Sequence, residues 1–469
     1  MVVPVYIFDP SLHCPSPSVV PAAAHSIGKQ GPFATRFLLE ALADLRATLG
    51  RLGSTLLLRH GDPADAIAGV VLDIRSALGG NPATADITVM FHDEPGTDEV
   101  MVADAVVARA RAEGCSVRRC WGCTLKHPDD LPRTEQRWGA LARPNNVGGK
   151  RRRGKGKGRP TTAATSPIGI ADRGEPADPA ADVRVPTTAS ADTGPSGDSP
   201  SGRVDVTPHR FHGLPLIMGE FRRAARAAAL RPVLPAPGRL PPPPPGFVDR
   251  YHHERLPTVK ELCCPGGTAP SLFGLPADVI AGMVAAAATD APPDPRSAHP
   301  LVGGESPGLA RLAWVVKAAA TMERGGGGIA GGGVDGSAKT SAYLALGCLS
   351  PRQVSAACAG QDGAAWLASH LEMRDFFMFS ALAAGASLFR RDRQQAFANN
   401  LPVSHWRPLS EQPVLELWTA WVSGRTGLPL VDAAIRELGA TGYMSNRCRQ
   451  NCASLLSKDL RLDWRLGAE

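Results

Sequence analysis

No stretch of roughly 18 apolar residues occurs in the chain, which argues against a membrane span. The opening residues, MVVPVYIFDP, lack a charged n-region and an Arg/Ser-rich amphipathic stretch; they read as a strand, not a targeting peptide. With no secretory signal, the ten cysteines point to reduced thiols in an intracellular compartment. A zinc set is also lacking. Cys120 and Cys123 form a CxxC, but the only compact cluster that could complete it is His252, His253, Cys263 and Cys264. A redox CxxC should open a helix, whereas a strand precedes this one and the loop TLKHPDDLP follows, so the spacing is read as accidental.

At 469 residues and 43% hydrophobic content, the chain is long enough for two or three domains with real cores. Its 50 glycines and 43 prolines concentrate in a few stretches and mark linkers. A net charge of +7 and a pI near 9.0 give a mild bias toward polyanions. Much of that charge sits in KRRRGKGKGR, Lys150–Arg159. Such a run reads as a solvated, disordered segment, with nuclear targeting or nonspecific nucleic-acid contact as the alternatives.

Strand and helix alternate over the first 130 residues: strands at Val3–Phe8, Thr55–Arg59, Ile87–Phe91 and Ser116–Trp121, helices at Phe33–Leu52, Ala64–Leu78 and Asp98–Glu113. That alternation predicts a parallel, Rossmann-like α/β sheet. From Arg133 to Asp205 the pattern dissolves into Gly, Pro, Ala, Ser, Thr and charge, and predicts a disordered insert. Pro232–Pro245, ending in five prolines, predicts an extended polyproline spacer. Beyond Leu272 the periodicity is helical, with helices expected at Leu309–Thr321, from Ala342, at Ala364–Ala384, Leu428–Leu438 and Ser445–Leu460, and a glycine-rich loop at Glu323–Gly336. The plan is therefore an α/β domain over 1–132, an insert over 133–208 and an all-α domain over 209–469.

Several residues suggest chemistry. Ser337-Ala338-Lys339-Thr340-Ser341 leads from a glycine-rich loop into a helix, where exposed N–H groups and hydroxyls suit a phosphate, although a plain N-cap is the commoner use of that pattern. Asn446 and Arg449 lie three apart, hence on one helix face, which could equally be a solvated one. Glu94 follows a strand at the sheet end where open α/β folds bind ligands; its bland reading is a solvated loop carboxylate. Trp406 and Trp464 alone would read as buried anchors.

KQGPFATRFLLEALADLR at Lys29–Arg46, WGCTLKHPDDLP at Trp121–Pro132, GSAKTSAYLALGCLSPR at Gly336–Arg352, WLASHLEMRDFF at Trp366–Phe377 and the block from Trp421 to Glu469 occur in one order. In that order they resemble the DASH cryptochromes of the DNA photolyase/cryptochrome family. The resemblance implies an antenna domain followed by a helical FAD-binding domain. It implies light-driven splitting of cyclobutane pyrimidine dimers, flipped from single-stranded DNA, by reduced FAD, and so a deoxyribodipyrimidine photo-lyase. A monomer with no membrane partner is expected, with RNA as a second nucleic-acid partner. The alternatives are a non-repairing blue-light receptor, a nucleic-acid-binding flavoprotein and an inactive remnant.

Residue by residue, the resemblance assigns Ser337–Ser341 to the flavin diphosphate, with Ala338 in place of a serine. It assigns Arg374, Asn446 and Arg449 to the flavin side, Asn446 also touching substrate. Trp406 and Trp464 become the outer and middle members of an electron relay, and Glu94 the pterin ligand of a 5,10-methenyltetrahydrofolate antenna. His370 and Met373 occupy lesion-contacting positions where the family has glutamate and tryptophan; losing a stacking platform costs on the order of 1–3 kcal/mol. Gln450 keeps the DASH-type residue, and Cys448 replaces a glycine. The family's opening strand would precede Met1. The aspartate partner of Arg449 and the flavin-proximal tryptophan would follow Glu469, so a fragment with an interrupted relay is expected. Relatives imply a chloroplast or mitochondrion, and the basic run a nucleus.

Overall fold

Short apolar strands and amphipathic helices alternate through the first part of the chain, as the periodicity predicts. The computed structural model describes residues 1–13, 30–78, 86–131, 214–264 (save 216, 245 and 247–254), 277–322 (save 289, 293, 298 and 299), 337–388 (save 362, 386 and 387), 406–407 and 411–468. The expected insert and the glycine-rich loop at 323–336 lie outside the described residues.

β1 (Val5–Phe8), α1 (Pro32–Arg51), β2 (Leu57–His60), α2 (Pro63–Leu78), β3 (Thr88–His92), α3 (Thr97–Ala112) and β4 (Ser116–Cys120) follow in order. β1 starts at Val5 and not Val3, since Pro4 has no N–H for the ladder and serves only as acceptor, to the Leu57 amide at 2.9 Å. Both strand pairs are parallel, β1 with β2 and β3 with β4. Among the described residues the strands form two two-stranded sheets, each parallel as the α/β alternation predicts. Apolar packing joins the two. α2 sets Val70 and Ile74 against Leu57 and Val71 against Ala110 and Cys115, and Ile87 packs against both groups.

The later chain is helical: α4 (Met218–Arg226), α5 (Val259–Cys263), α6 (Ala277–Ala286), α7 (Glu305–Met322), α8 (Ser341–Ala345), α9 (Pro351–Cys358), α10 (Ala365–Ala384), α11 (Gln412–Val422), α12 (Pro429–Thr441) and α13 (Asn446–Ser454). α4, α5, α6, α9 and α11 were not read from the sequence as separate helices. The helix expected over Ser445–Leu460 changes to a π turn at Leu455–Asp459. Among the described residues the only β pairing here is one bridge, Arg407 to Leu462. Among them, too, no helix is long and apolar enough to cross a membrane.

α1 is the shared wall. Pro32 suits its first turn, where an N–H would be unpaired anyway. Leu38, Leu39, Leu42 and Leu49 then join Phe8, Leu56, Leu58, Val259 and Ile280 in one core. Phe37 turns the other way, into a core with Leu312, Tyr343, Leu349, Leu367 and Leu371. A third core sets Trp121 and Leu131 of the α/β part against Phe221 of α4 and Phe376, Phe379 and Leu382 of α10. Each such side chain contributes about 1.5–3 kcal/mol by burial, so the α/β and helical parts are held by shared apolar area.

Candidate functional site

The turn Ser337–Ser341 is held from behind by α7. The α7 start docks on α1: the Gly303 amide donates to Glu40 at 2.7 Å and the Ser306 amide to Asp44 at 3.0 Å. A Cβ on Gly303 would lie 1.9 Å from the Phe37 carbonyl oxygen, so only glycine allows this approach. Two turns on, buried Arg311 donates Nε to the Ala338 carbonyl at 2.9 Å and Nη2 to the Ser337 carbonyl at 3.1 Å. Its guanidinium sits 4.1 Å from the Trp314 ring centroid, a favourable cation–π distance. Ala338, Lys339 and Thr340 are buried, Ser341 is exposed, and Lys339 adopts a left-handed φ of 51°, uncommon outside glycine.

The turn meets the α12–α13 connection. The Ser337 hydroxyl lies 3.4 Å from that of Tyr443, and Lys339 Nζ lies 5.3 Å from the Tyr443 ring centroid. Tyr443 is placed by Gly442, which ends α12 at φ 72° and leaves no room for a side chain: a Cβ there would be 2.5 Å from that of Phe33. Ser445 then caps α13, accepting from the Cys448 amide at 3.2 Å. Asn446, Arg449 and Gln450 are exposed, while Cys448 and Cys452 face the core. Arg449 Nε donates to the Met444 carbonyl at 3.3 Å, and Gln450 accepts from Arg447 at 3.2 Å. The turn and the α13 start are thus brought together, and their donors (hydroxyls, the Lys339 ammonium, the Asn446 amide, the Arg449 guanidinium) suit a dinucleotide diphosphate.

α10 carries the remaining helical-part candidates. His370 is exposed, edge-on to Trp366 at 5.3 Å between centroids. Partial desolvation and then Arg222 hold its imidazole below the usual range. Met373 is half-buried and Phe377 is 56% exposed. Arg374 does not reach the phosphate turn. It donates to the Cys123 carbonyl and, at 3.3 Å, to the Leu344 carbonyl, so it joins α8 to the loop after β4. Next to it, buried Asp375 accepts from the Leu125 and Lys126 amides at 2.8 Å each. Burial raises its pKa to about 7 against the opposing pull of those amides, Arg374 and Lys126.

Glu94 follows β3, beside the buried Asp93–Arg119 ion pair of 2.5 Å. The residue is exposed, yet its carboxyl is raised by partial desolvation first and by Glu99 second, with Arg374 opposing. Glu99 and the desolvation act in one direction, so the upward shift stands despite the exposure. Arg374 is therefore within electrostatic range of the candidate antenna ligand while touching the helix that begins at the phosphate turn. Burial pushes the Cys123 thiol up to about 12, with Glu94 adding to it, which keeps that thiol protonated. Among the described residues no group of three or more His, Cys, Asp or Glu could hold a metal.

Trp406 is buried and Trp464 half-buried, and the Arg407–Leu462 bridge, with the Arg407 amide donating to the Arg461 carbonyl at 2.8 Å, sets their segments side by side. A second pair was not read from the sequence: Trp418 and Trp421 stack at 5.6 Å and 17°. Arg311, Tyr443 and Asp375 were missed as well. Asp375 lies inside the motif at Trp366–Phe377, but nothing in its neighbours marks it as an acceptor for a loop some 250 residues earlier.

Residues 1–141 match the family profile described as DNA photolyase, and residues 366–469 that of the FAD binding domain of DNA photolyase. The chain is 31% identical over 479 residues to a cryptochrome DASH of Danio rerio, covering 100% of this chain and 67% of the relative. It is 30% identical over 492 residues to a protein of Ostreococcus tauri described as cryptochrome DASH, chloroplastic/mitochondrial, covering 100% of this chain and 68% of that one. The solved cryptochrome of Synechocystis sp. superposes with a TM-score of 0.62 at 27% identity, covering 99% of this chain and 71% of that one.

Proposed function

The chain belongs to the cryptochrome DASH branch of the DNA photolyase family, a family of blue-light flavoproteins, and we propose that it repairs cyclobutane pyrimidine dimers in single-stranded DNA. The observation that carries the reading is the meeting of the Ser337–Ser341 turn with the start of α13 through Tyr443, inside a chain matched along its whole length by this branch. Bound FAD supplies the light-excited electron that splits the dimer.

The chain's own residues bind and orient. Lys339 and the Ser337 and Ser341 hydroxyls neutralise and grip the diphosphate, with the turn held in shape by Arg311. Asn446 and Arg449 present their amide and guanidinium from one face of α13 to the flavin ring, with Gln450 beside them toward DNA. Arg374 fixes α8 to the loop after β4 and acts on the flavin side through that placement. Trp464 and Trp406 would stand as the middle and outer members of an electron relay to the flavin, whose innermost member is not among these residues. Residues 1–132 form the antenna domain, with Glu94 holding the pterin of 5,10-methenyltetrahydrofolate, and residues 209–469 the flavin domain. DNA is the principal partner, with RNA bound through the same basic bias. A plastid or mitochondrial location fits the Ostreococcus tauri relative, and the Lys150–Arg159 run would serve nuclear entry instead; a fluorescent fusion decides between them.

Illumination of the reduced holoprotein with a dimer-containing single-stranded oligonucleotide should restore the intact pyrimidines, while a dark control should not. Flavin binding without repair would favour the second reading, a non-repairing photoreceptor, for which His370 and Met373 at the lesion positions speak.

A further inference from the structure

The stretch Arg231–Leu240, RPVLPAPGRL, has no part in the site described above. Its conformation follows from its prolines. Pro232, Pro235 and Pro237 have φ fixed near about −65°. Arg231, Leu234 and Ala236 each precede a proline, which drives them to the β or polyproline II region. Only Val233 is unconstrained before Gly238. The stretch is held at both ends. Arg231 makes a bidentate pair with Asp130, at 2.7 and 2.9 Å. The Leu240 amide donates to the Leu52 carbonyl at 2.9 Å, and Leu240 packs against the core around α1.

Between these pins every residue from Pro232 to Arg239 is exposed, Leu234 at 81% and Val233 at 46%. A polyproline II helix has about three residues per turn and no internal hydrogen bonds. Pro232 and Pro235 therefore share one edge, Leu234 and Pro237 the next, and Val233 and Ala236 the third, with Arg239 just past the bend at Gly238. Two apolar edges side by side with a cation near one end are what an aromatic-lined polyproline groove reads. Anchoring at both ends removes most of the ordering cost of binding. The neighbouring run of five prolines does not qualify: Leu240 is pinned and Pro244 is buried.

We propose that Arg231–Arg239 is a docking strap for a small domain of the SH3 class, whose aromatic groove takes Pro232, Leu234 and Pro235 and whose acidic flank receives Arg239. The test titrates the full chain into an isotope-labelled SH3 domain with an acidic specificity pocket, followed by NMR. Shifts confined to the groove and the acidic flank are expected. A Leu234→Ala/Pro235→Ala double variant, exposed at both positions and so expected to melt like the parent, should weaken binding at least tenfold. Arg239→Ala should weaken it several-fold. Absence of groove shifts, shifts outside the groove, or a double variant that titrates like the parent, as binding through Lys150–Arg159 would give, each overturns the proposal.

Discussion

One face of α10 buries Leu371, Asp375, Phe376, Phe379 and Leu382 against α4, α8, α9 and the loop after β4, while the opposite face leaves His370, Met373 and Phe377 open or half-open. The helix is continuous, so the contrast is not one of local conformation. The packed face carries the joint between the α/β and helical parts, in a mixture of aromatic area and buried polar contacts. The open face holds His370 and Met373, the positions proposed to contact the lesion. On α10 the two proposed departures, His370 and Met373, fall on the open face, where exposure makes a change of side chain cheap.

The largest difference between the faces should be read in stability. Phe379→Ala removes a fully buried ring that packs with Trp121 and Phe221, and is expected to cost about 3–5 kcal/mol. Phe377→Ala, one residue pair away on the other face, should stay within about 0.5 kcal/mol. Urea unfolding of both variants makes the comparison, and equal losses would break it.

The buried carboxyl of Asp375 should then make the packed face lose stability as pH rises, opposite in sign to the effect of the lowered His370 imidazole on the open face. The folded pKa of Asp375, about 7, lies above the unfolded value, so the folded state holds the proton more tightly. The stabilisation is complete below the unfolded pKa near about 4 and is lost as pH rises through about 7. Between pH 5 and 8 the parent should lose on the order of 2–4 kcal/mol relative to Asp375→Asn, each pKa unit being worth about 1.4 kcal/mol. Parallel unfolding curves for the two proteins across that range would remove desolvation as the dominant cause.

A smaller effect is expected behind the phosphate turn. Arg311→Met withdraws charged donors from two buried carbonyls and should cost about 1.5–3 kcal/mol, with faster loss of flavin on gel filtration. Arg311→Lys should restore part of the retention. On the open face, the paired change His370→Glu with Met373→Trp should leave stability nearly unchanged and tighten binding of a dimer-containing oligonucleotide by about 1–3 kcal/mol, measured by fluorescence anisotropy. Unchanged affinity would mean that these positions do not touch the lesion.

The elements of the α/β part were legible because apolar spacing of two and of three to four residues states the period directly, and the observed ends moved by only one or two residues. The pairing of the described strands as two pairs was not legible, since spacing within strands says nothing about which edges pair. Of the candidate site, Asn446 and Arg449 share an exposed face as their spacing implied. Arg374 keeps company that no local pattern announces, one carbonyl in the loop after β4 and one in α8. Arg311 was hidden for the same reason: a helix arginine is ordinarily a surface residue, and only the docking of Gly303 on α1 turns this one inward. Short helices such as α5, closed by the Thr258–Glu261 capping box, offer too few turns for periodicity to register.

A single flavin-binding surface formed by the Ser337–Ser341 turn and the start of α13 is the central proposal. Its most direct test is the flavin content of the purified full chain, by visible absorbance and release on denaturation, repeated for Lys339→Ala combined with Asn446→Ala. Equimolar FAD in the parent and a marked loss in the double variant is the predicted result. A parent that remains colourless after refolding with excess FAD, or a double variant that retains the full complement, would contradict it.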